Sequence, residues 1–173
     1  MTNSLTILKS IFYFDQFRGD QEKIVNSIIA GKSGIRMIDE FDVTDMSSLI
    51  AGVVPKTTDE NPTDGAFNVN LFVPVKEQKK IDQFICFGMA AAQEAIEDSG
   101  WKPESVEDQE RTGVLIGSGI GGLGTMFETS KILLEKGPRR MSPFCIPAML
   151  INLASGHVSI KYGFKGPNHS VVT

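Results

Sequence analysis

The sequence has few cysteines, few histidines and no long apolar run. Its two cysteines, Cys86 and Cys145, show neither CxxC spacing nor a disulfide framework, a pattern typical of proteins of the reducing cytoplasm. No apolar run approaches the roughly 20 residues that a membrane-spanning helix requires, and the first residues lack the basic head and small-residue end of a signal peptide. Neither histidine has an acidic pair at metal-ligand spacing nearby. The residues therefore predict no membrane association, no metal site and no cofactor.

Positive charge is also scarce. Lys and Arg number 17 against 21 Asp and Glu, which gives a net charge of -4. This balance argues against a general nucleic-acid or membrane-surface binder, so any basic partner site has to be local. The 173 residues, 41% of them hydrophobic, are enough for the packed core of one domain.

The hydrophobic pattern predicts strands separated by long helices, which indicates α/β architecture. Helices are predicted over 20–31, 79–100, 125–136 and 142–163, and strands over 112–116 and from 171 onward. Gly88 inside the second helix indicates a close contact with another helix. Residues 1–18 fit neither period well. Residues 52–75, with three prolines and several Asp, Asn and Gly, predict a surface excursion.

The segment 117–122 satisfies G-x-G-x-x-G between a predicted strand and a predicted helix. In a dinucleotide-binding fold, a second strand ending in an acidic residue should follow, but KGPRRMSPFCIP contains neither. The sequence therefore favours glycines that let the loop and a helix pack closely. The AGKS sequence at 30–33 echoes a P-loop, yet the first glycine of that motif would fall at Asn26 inside a predicted helix.

Two features are ambiguous on their own. Cys145 lies at the start of a predicted helix, where a thiolate could be activated, but packing is favoured because no base is nearby. Lys79 and Lys80 are placed by the pattern at the start of the 79–100 helix, where the helix dipole disfavours positive charge. Something else is expected to keep these lysines there.

Five blocks, taken together, resemble a known family. They are AGKSGI (30–35), KEQKKID (76–82), GVLIGSGIGGLG (113–124), KGPRRMSPF (136–144) and INLASGHVSIKYGFKGPNHSVVT (151–173). In order and spacing, residues 19–173 resemble elongation-type β-ketoacyl-acyl-carrier-protein synthases of bacterial fatty-acid synthesis. The resemblance implies an α/β fold, here an incomplete thiolase-like fold that forms part of the N-terminal βαβαβαββ half.

The same resemblance implies an activity and its partners. In the family, a cysteine at a strand-to-helix elbow carries the acyl chain as a thioester, and its helix N-terminus activates the thiol. Two later histidines assist the decarboxylative condensation with malonyl-acyl carrier protein. The implied partners are acyl carrier protein, loaded with acyl or malonyl groups, and a second copy in a homodimer, without nucleic acid, membrane or cofactor.

The sequence departs from the family pattern in three places. It stops at Thr173, before the alanine and nucleophilic cysteine that continue the last block, so neither the nucleophile nor the two histidines are present and no residue is assigned a catalytic role. Residues 1–18 lack the first strand and glycine-rich turn of the family. Cys145 stands where a second phenylalanine is usual.

The remaining site residues are transferred from the resemblance one by one. The positions that match the lining or gate of the acyl pocket are Gly119, Ile120, Cys145 and Ile146. The positions that match the basic surface for the carrier protein are Lys76, Lys79, Lys80, Arg139 and Arg140.

Four interpretations follow. The first is a fragment of the synthase that is inactive alone. The second is one half of an active synthase whose other half is a separate polypeptide. The third is a non-catalytic module that binds carrier protein. The fourth, a nucleotide-binding domain, depends on the 117–122 motif alone.

Overall fold

The computed structural model describes residues 4–12, 15–17, 21–62 and 66–172, without the side chains of four residues in the first helix. The chain divides into two compact units, 1–67 and 68–173. Each unit has its own elements and is described separately.

The first unit contains two short helices and a hairpin. Helix α1 spans Ser4–Phe12 and α2 spans Gln21–Ile29, while β1 (Ile35–Met37) and β2 (Ile50–Gly52) pair antiparallel. The helix predicted over 20–31 is thus confirmed, although its expected cap, residue 20, lies outside the described residues. Gly31 follows α2 with φ +67°, a conformation that glycine adopts without a steric penalty.

The predicted excursion over 52–75 spans the boundary between the units. Within the first unit, Phe67 N–H donates to the Pro55 carbonyl over 2.7 Å, and Thr57 N–H donates to the Phe67 carbonyl over 3.0 Å. Within the second unit, Asn68 and Val73 are buried. The prediction that residues 52–75 form a surface excursion of the family domain stays a prediction.

The second unit carries most of the regular structure. Its helices are α3 (Val75–Gln78), α4 (Gln83–Ser99), α5 (Val106–Arg111), α6 (Leu123–Lys136), α7 (Cys145–Met149) and α8 (Asn152–Tyr162), with short 3-10 helices at Val69–Leu71 and Pro138–Arg140. Its strands, β3 (Val114–Gly117) and β4 (Asn168–Val171), are parallel, with Val114 opposite Asn168.

Helices cover one face of the β3–β4 pair. Helix α8 packs on both strands and α4 packs on α8, with Ile85 and Val158 fully buried. Gly88 makes the close approach possible, because a Cβ at this position would lie 3.6 Å from the Cβ of Ala154 on α8. The helix contact predicted at Gly88 is confirmed. On the opposite face of the pair, Leu115 remains 66% exposed.

The predicted start of the long helix was wrong. Helix α4 begins at Gln83 and not at Lys79, because the Asp82 side chain caps it by accepting the Phe84 N–H. Lys79 is instead the C-terminal cap residue of α3, and Lys80 follows in the turn. Positive charge is favourable at the end of a helix, so the expected conflict with a helix dipole does not arise.

The single helix predicted over 142–163 was also wrong. It is two helices, α7 and α8, separated at Leu150, whose ψ is 131°. The last carbonyls of α7 accept backbone hydrogen bonds from other elements, Ala148 from Asp82 N–H (3.3 Å) and Met149 from Gly122 N–H (3.0 Å). These bonds end α7 by satisfying carbonyls that lack intrahelical partners. Strand β4 likewise starts at Asn168, three residues earlier than predicted.

Candidate functional site

The glycine segment that follows β3 packs against the end of α7. A Cβ at Gly121 would lie 2.6 Å from the Met149 carbonyl oxygen, and a Cβ at Gly122 would lie 2.6 Å from the Met149 Cα. Gly121 also has φ +83°. Both glycines are needed for the close approach of two backbones, which supports the packing interpretation of the motif over phosphate binding.

The four predicted acyl-pocket residues belong to this loop and to α7. Cys145 and Ile146 are the first two residues of α7; Cys145 is buried at 9% exposure and Ile146 is 55% exposed. In the loop, Ile120 is 68% exposed, and the space beside Gly119 is open to 4 Å. The two segments meet where Gly121 and Gly122 of the loop contact Met149, which lies about one helical turn after Cys145 in α7. Their role in an acyl pocket stays a prediction.

Asp82 connects three helices at this site. Its Oδ2 accepts hydrogen bonds from the Thr125 backbone N–H (2.9 Å) and hydroxyl (2.6 Å) in the first turn of α6. Its Oδ1 accepts the Phe84 N–H of α4, and its own N–H donates to Ala148 of α7. The sequence reasoning missed this role, although an aspartate before an apolar helical run is an N-cap signal.

The predicted carrier-protein lysines lie along α3 and the turn after it. Lys76 is on α3, Lys79 ends it, and both are exposed. Lys80 is different: its Nζ lies 2.7 Å from Glu77 Oε1 and 5.6 Å from the centroid of the Phe144 ring. The contact with Phe144, which the sequence did not reveal, places the lysine turn beside the start of α7.

The two predicted arginines are close to the same segment in sequence. Arg139 and Arg140 form the exposed end of the 3-10 helix Pro138–Arg140, four residues before Phe144. The 3-10 helix packs against α6. The structure therefore places the lysines and the arginines on segments that converge on the start of α7. A joint basic surface for carrier protein stays a prediction.

The buried thiol of Cys86 has an environment that disfavours reaction. Burial, and to a lesser degree the Asp82 carboxylate, raise the pKa of the Cys86 thiol, and the thiolate is the reactive form. Cys86 lies within α4 and Cys145 opens α7, so neither follows β4, after which the family carries its nucleophile. Within the described ranges, no three His, Cys, Asp or Glu side chains gather as metal ligands. No helix in those ranges is both long and apolar enough to cross a membrane.

Comparison with known families decides the relationship. The family model "Beta-ketoacyl synthase, N-terminal domain" matches residues 16–173. The chain belongs to the β-ketoacyl synthase family. The fold prediction is confirmed with it, because the chain resembles the ishigamide ketosynthase/chain length factor with a TM-score of 0.67 over 88% of this chain and 36% of that one, at 22% identity. The α/β structure is thus a partial thiolase-like fold.

Curated relatives of this chain have one recurring name. The chain is 51% identical to the 3-oxoacyl-[acyl-carrier-protein] synthase 2 of Rhizobium meliloti over 84% of its own length and 34% of that protein. It is 44% identical to the mitochondrial 3-oxoacyl-[acyl-carrier-protein] synthase of Arabidopsis thaliana over 74% of its length and 26% of that protein. The 173 residues therefore span about a third or less of these relatives.

One solved relative includes a carrier protein. A ketosynthase of a type II PKS, in complex with its acyl-carrier protein and bound to a hexaketide, matches 63% of this chain and 30% of its own, with 26% identity and a TM-score of 0.54. That structure shows that a similar ketosynthase binds an acyl-carrier protein.

Proposed function

We propose that these residues are the front third of a 3-oxoacyl-[acyl-carrier-protein] synthase of fatty-acid biosynthesis, an acyltransferase that condenses an acyl thioester with malonyl-acyl carrier protein in the cytoplasm. The 51% identity to the Rhizobium meliloti synthase carries this proposal. Gly121 and Gly122, whose contacts with α7 leave no room for a side chain, also lie in one of the blocks that resemble the family pattern.

Within that enzyme, this part supplies binding surfaces. Gly119, Ile120, Cys145 and Ile146 line or gate the acyl pocket. Ile120 and Ile146 are apolar and expose 68% and 55% of their surface to solvent here, so both side chains are accessible to an acyl chain.

The carrier protein docks on the basic side of α3. Lys76, Lys79, Lys80, Arg139 and Arg140 form the docking surface, which is local in a chain of net charge -4. Such a surface steers an acidic partner and fixes its orientation. The acyl-carrier-protein complex of a similar ketosynthase supports a partner of this class.

A polypeptide of these 173 residues has no condensing activity alone. The chemistry needs a thiolate at a helix N-terminus after β4 together with oxyanion donors, and neither cysteine stands there. Cys145 does not replace the nucleophilic cysteine that the family carries after this strand. Its helix has only five residues, and its place in the acyl pocket separates it from the strand-to-helix elbow.

A direct test incubates the chain with an acyl-carrier-protein thioester and malonyl-acyl carrier protein, and follows acyl transfer and β-ketoacyl product by mass spectrometry. No product is expected from the chain alone. Product that is lost in Cys145→Ala would contradict the proposal. Sedimentation of the same samples tests the homodimer that the family resemblance implies.

The two rival functions differ in the same assay. If the chain is one half of a split synthase, product forms once a second polypeptide is added that carries the part of a relative absent from this chain. A non-catalytic binding module forms none under that condition, yet still binds carrier protein. We favour the synthase because the similarity to the Rhizobium meliloti synthase extends over 84% of this chain, far beyond the docking lysines.

A further inference from the structure

Lys80 stands apart from the other lysines of the docking surface because its ammonium already has two partners. Glu77 Oε1 lies 2.7 Å from it, and the Phe144 ring centroid lies 5.6 Å from it. Among the described residues, no ion pair or hydrogen bond engages the ammonium of Lys76 or Lys79. Lys80 is also the least exposed of the three. The three lysines therefore have different local roles.

Phe144 links this contact to the acyl-pocket segment. It is the N-terminal cap residue of α7, its carbonyl accepts the Ala148 N–H over 2.8 Å, and Cys145 and Ile146 follow it directly. The cap makes no side-chain hydrogen bond. A shift of Phe144 would therefore also shift the first turn of α7.

The two ends of α7 are held in different ways. At its C-terminal end, Asp82 N–H and Gly122 N–H donate to the carbonyls of Ala148 and Met149. At its start, Phe144 N–H donates to the Ser142 hydroxyl and Cys145 N–H donates to the Ser142 carbonyl over 3.1 Å, both within three residues. The Lys80 ammonium, from a distant part of the chain, lies 5.6 Å from the centroid of the Phe144 ring. A helix of five residues is not stable by its own hydrogen bonds. Contacts from other parts of the chain, such as that of Lys80 with Phe144, therefore contribute to holding the start of α7.

We propose that Lys80 is a positioning residue, which holds the start of α7 and with it Cys145 and Ile146, in addition to offering charge to the carrier protein. That Cys145 and Ile146 form a wall of the acyl pocket rests on the proposed function, but the positioning role of Lys80 does not. An ammonium or a guanidinium over an aromatic face is attracted by the ring quadrupole. Arginine should therefore replace Lys80, and glutamine should not.

Cys145 provides a local measurement of this positioning. It is 9% exposed at the start of α7, so its alkylation reports opening of that turn, while Cys86, 5% exposed inside α4, serves as an internal reference. The experiment alkylates the 173-residue chain with iodoacetamide and quantifies both cysteines by peptide mass spectrometry. The variants are Lys80→Gln, Lys80→Arg, Phe144→Leu and, as matched control, Lys76→Gln.

We expect Lys80→Gln to accelerate alkylation of Cys145 about two- to five-fold, the range that loss of one exposed cation–π contact allows, with no change at Cys86. Phe144→Leu, which keeps the charge of Lys80, should give the same acceleration. Lys80→Arg and Lys76→Gln should behave as the wild-type chain does. Circular dichroism establishes that each variant retains its helix content.

An unchanged Cys145 rate in both Lys80→Gln and Phe144→Leu would overturn the inference. Equal acceleration at Cys86 would also overturn it, because that result indicates general loosening of the unit. The assay contains no carrier protein, so its outcome is independent of the proposed function. Failure of the wild-type chain to bind carrier protein would instead contradict that function alone.

Discussion

Asp82 and Thr125, 43 residues apart, are joined by two hydrogen bonds that end on one carboxylate oxygen, 2.9 Å from the Thr125 nitrogen and 2.6 Å from its hydroxyl oxygen. The other carboxylate oxygen accepts the Phe84 N–H. One carboxylate therefore caps the starts of α4 and α6, where a negative charge also interacts favourably with the helix dipoles.

Replacing Asp82 by alanine should lower the free energy of unfolding by about 1–3 kcal/mol, because the hydrogen bonds to this partly buried carboxylate are lost together with the cap. Thr125→Val should cost less, since the backbone N–H bond of Thr125 remains. Urea unfolding, followed by circular dichroism, measures both variants and the double variant.

The double variant separates a direct contact from two independent effects. If the pair interacts as the distances indicate, the two losses are not additive and the coupling is about 0.5–3 kcal/mol. Glu94→Ala, an exposed change on the same helix, is the control and should change stability by less than about 0.5 kcal/mol. Strict additivity of Asp82→Ala and Thr125→Val would contradict the assigned contact.

A second prediction compares two glycines two residues apart. In Gly122→Ala the new Cβ would meet the Met149 Cα at 2.6 Å, so the loop or α7 must move, whereas in Gly124→Ala the nearest atom is Asp82 Oδ2 at 3.6 Å. Overpacking of this kind typically costs about 1–3 kcal/mol, while alanine in place of a helical glycine gains up to about 1 kcal/mol. The midpoint temperature of thermal unfolding should therefore fall in Gly122→Ala and rise in Gly124→Ala. A destabilised Gly124→Ala would refute the assigned geometry.

The sequence predicted most of the second unit because its signals are local. Gly100 and Gly163 end α4 and α8 in the left-handed conformation, as glycines after an apolar helical stripe should. The break between α7 and α8 could not be predicted, because it depends on hydrogen bonds that Asp82 and Gly122 donate from distant parts of the chain.

The candidate site shows the same division. The resemblance predicted roles for Lys76, Lys79, Lys80 and the α7 residues, because those positions match blocks of the family pattern. The contact of Lys80 with Phe144 joins residues 64 positions apart and has no periodic signal in the sequence. The Asp82 cap was within reach of local reasoning, but its second partner, Thr125, was not.

His157 makes the stability of the second unit depend on pH. Burial on α8 lowers the pKa of its imidazole, and the carboxylate of Glu77 opposes this only in part. The unfolded chain therefore binds a proton more readily than the folded chain, so stability falls as the pH drops below the ordinary value of 6.5. In His157→Gln, urea unfolding between pH 8 and pH 5.5 (about the range in which histidine titrates) should show a smaller loss.

The matched control for this titration is Asn152→Gln, a change at an exposed position of the same helix that carries no titratable group. Its unfolding free energy should keep the pH dependence of the wild-type chain. The assignment fails if the loss of stability below pH 6.5 is the same with and without His157. Carboxylates titrate mainly below this range, so they contribute equally to all three proteins.

Carrier-protein binding should depend on Lys76 and Lys79 as free charges. Exposed charge pairs contribute little each and are screened over about 10 Å at 0.1 M salt. We therefore expect Lys76→Gln and Lys79→Gln each to weaken binding about two- to five-fold at low salt, with the difference vanishing as salt rises. Replacing Lys76, Lys79 and Lys80 together by glutamate should abolish binding, because the surface would then repel an acidic partner.

Lys102 offers a control of equal charge at the other end of α4. It is exposed and lies beyond Ser99, about 25 Å from the lysine turn along a 17-residue helix. Lys102→Gln should bind carrier protein as the wild-type chain does, in titrations followed by fluorescence anisotropy at several salt concentrations. If it weakens binding as much as Lys76→Gln does, the attraction comes from total charge, and the docking surface is not where we place it.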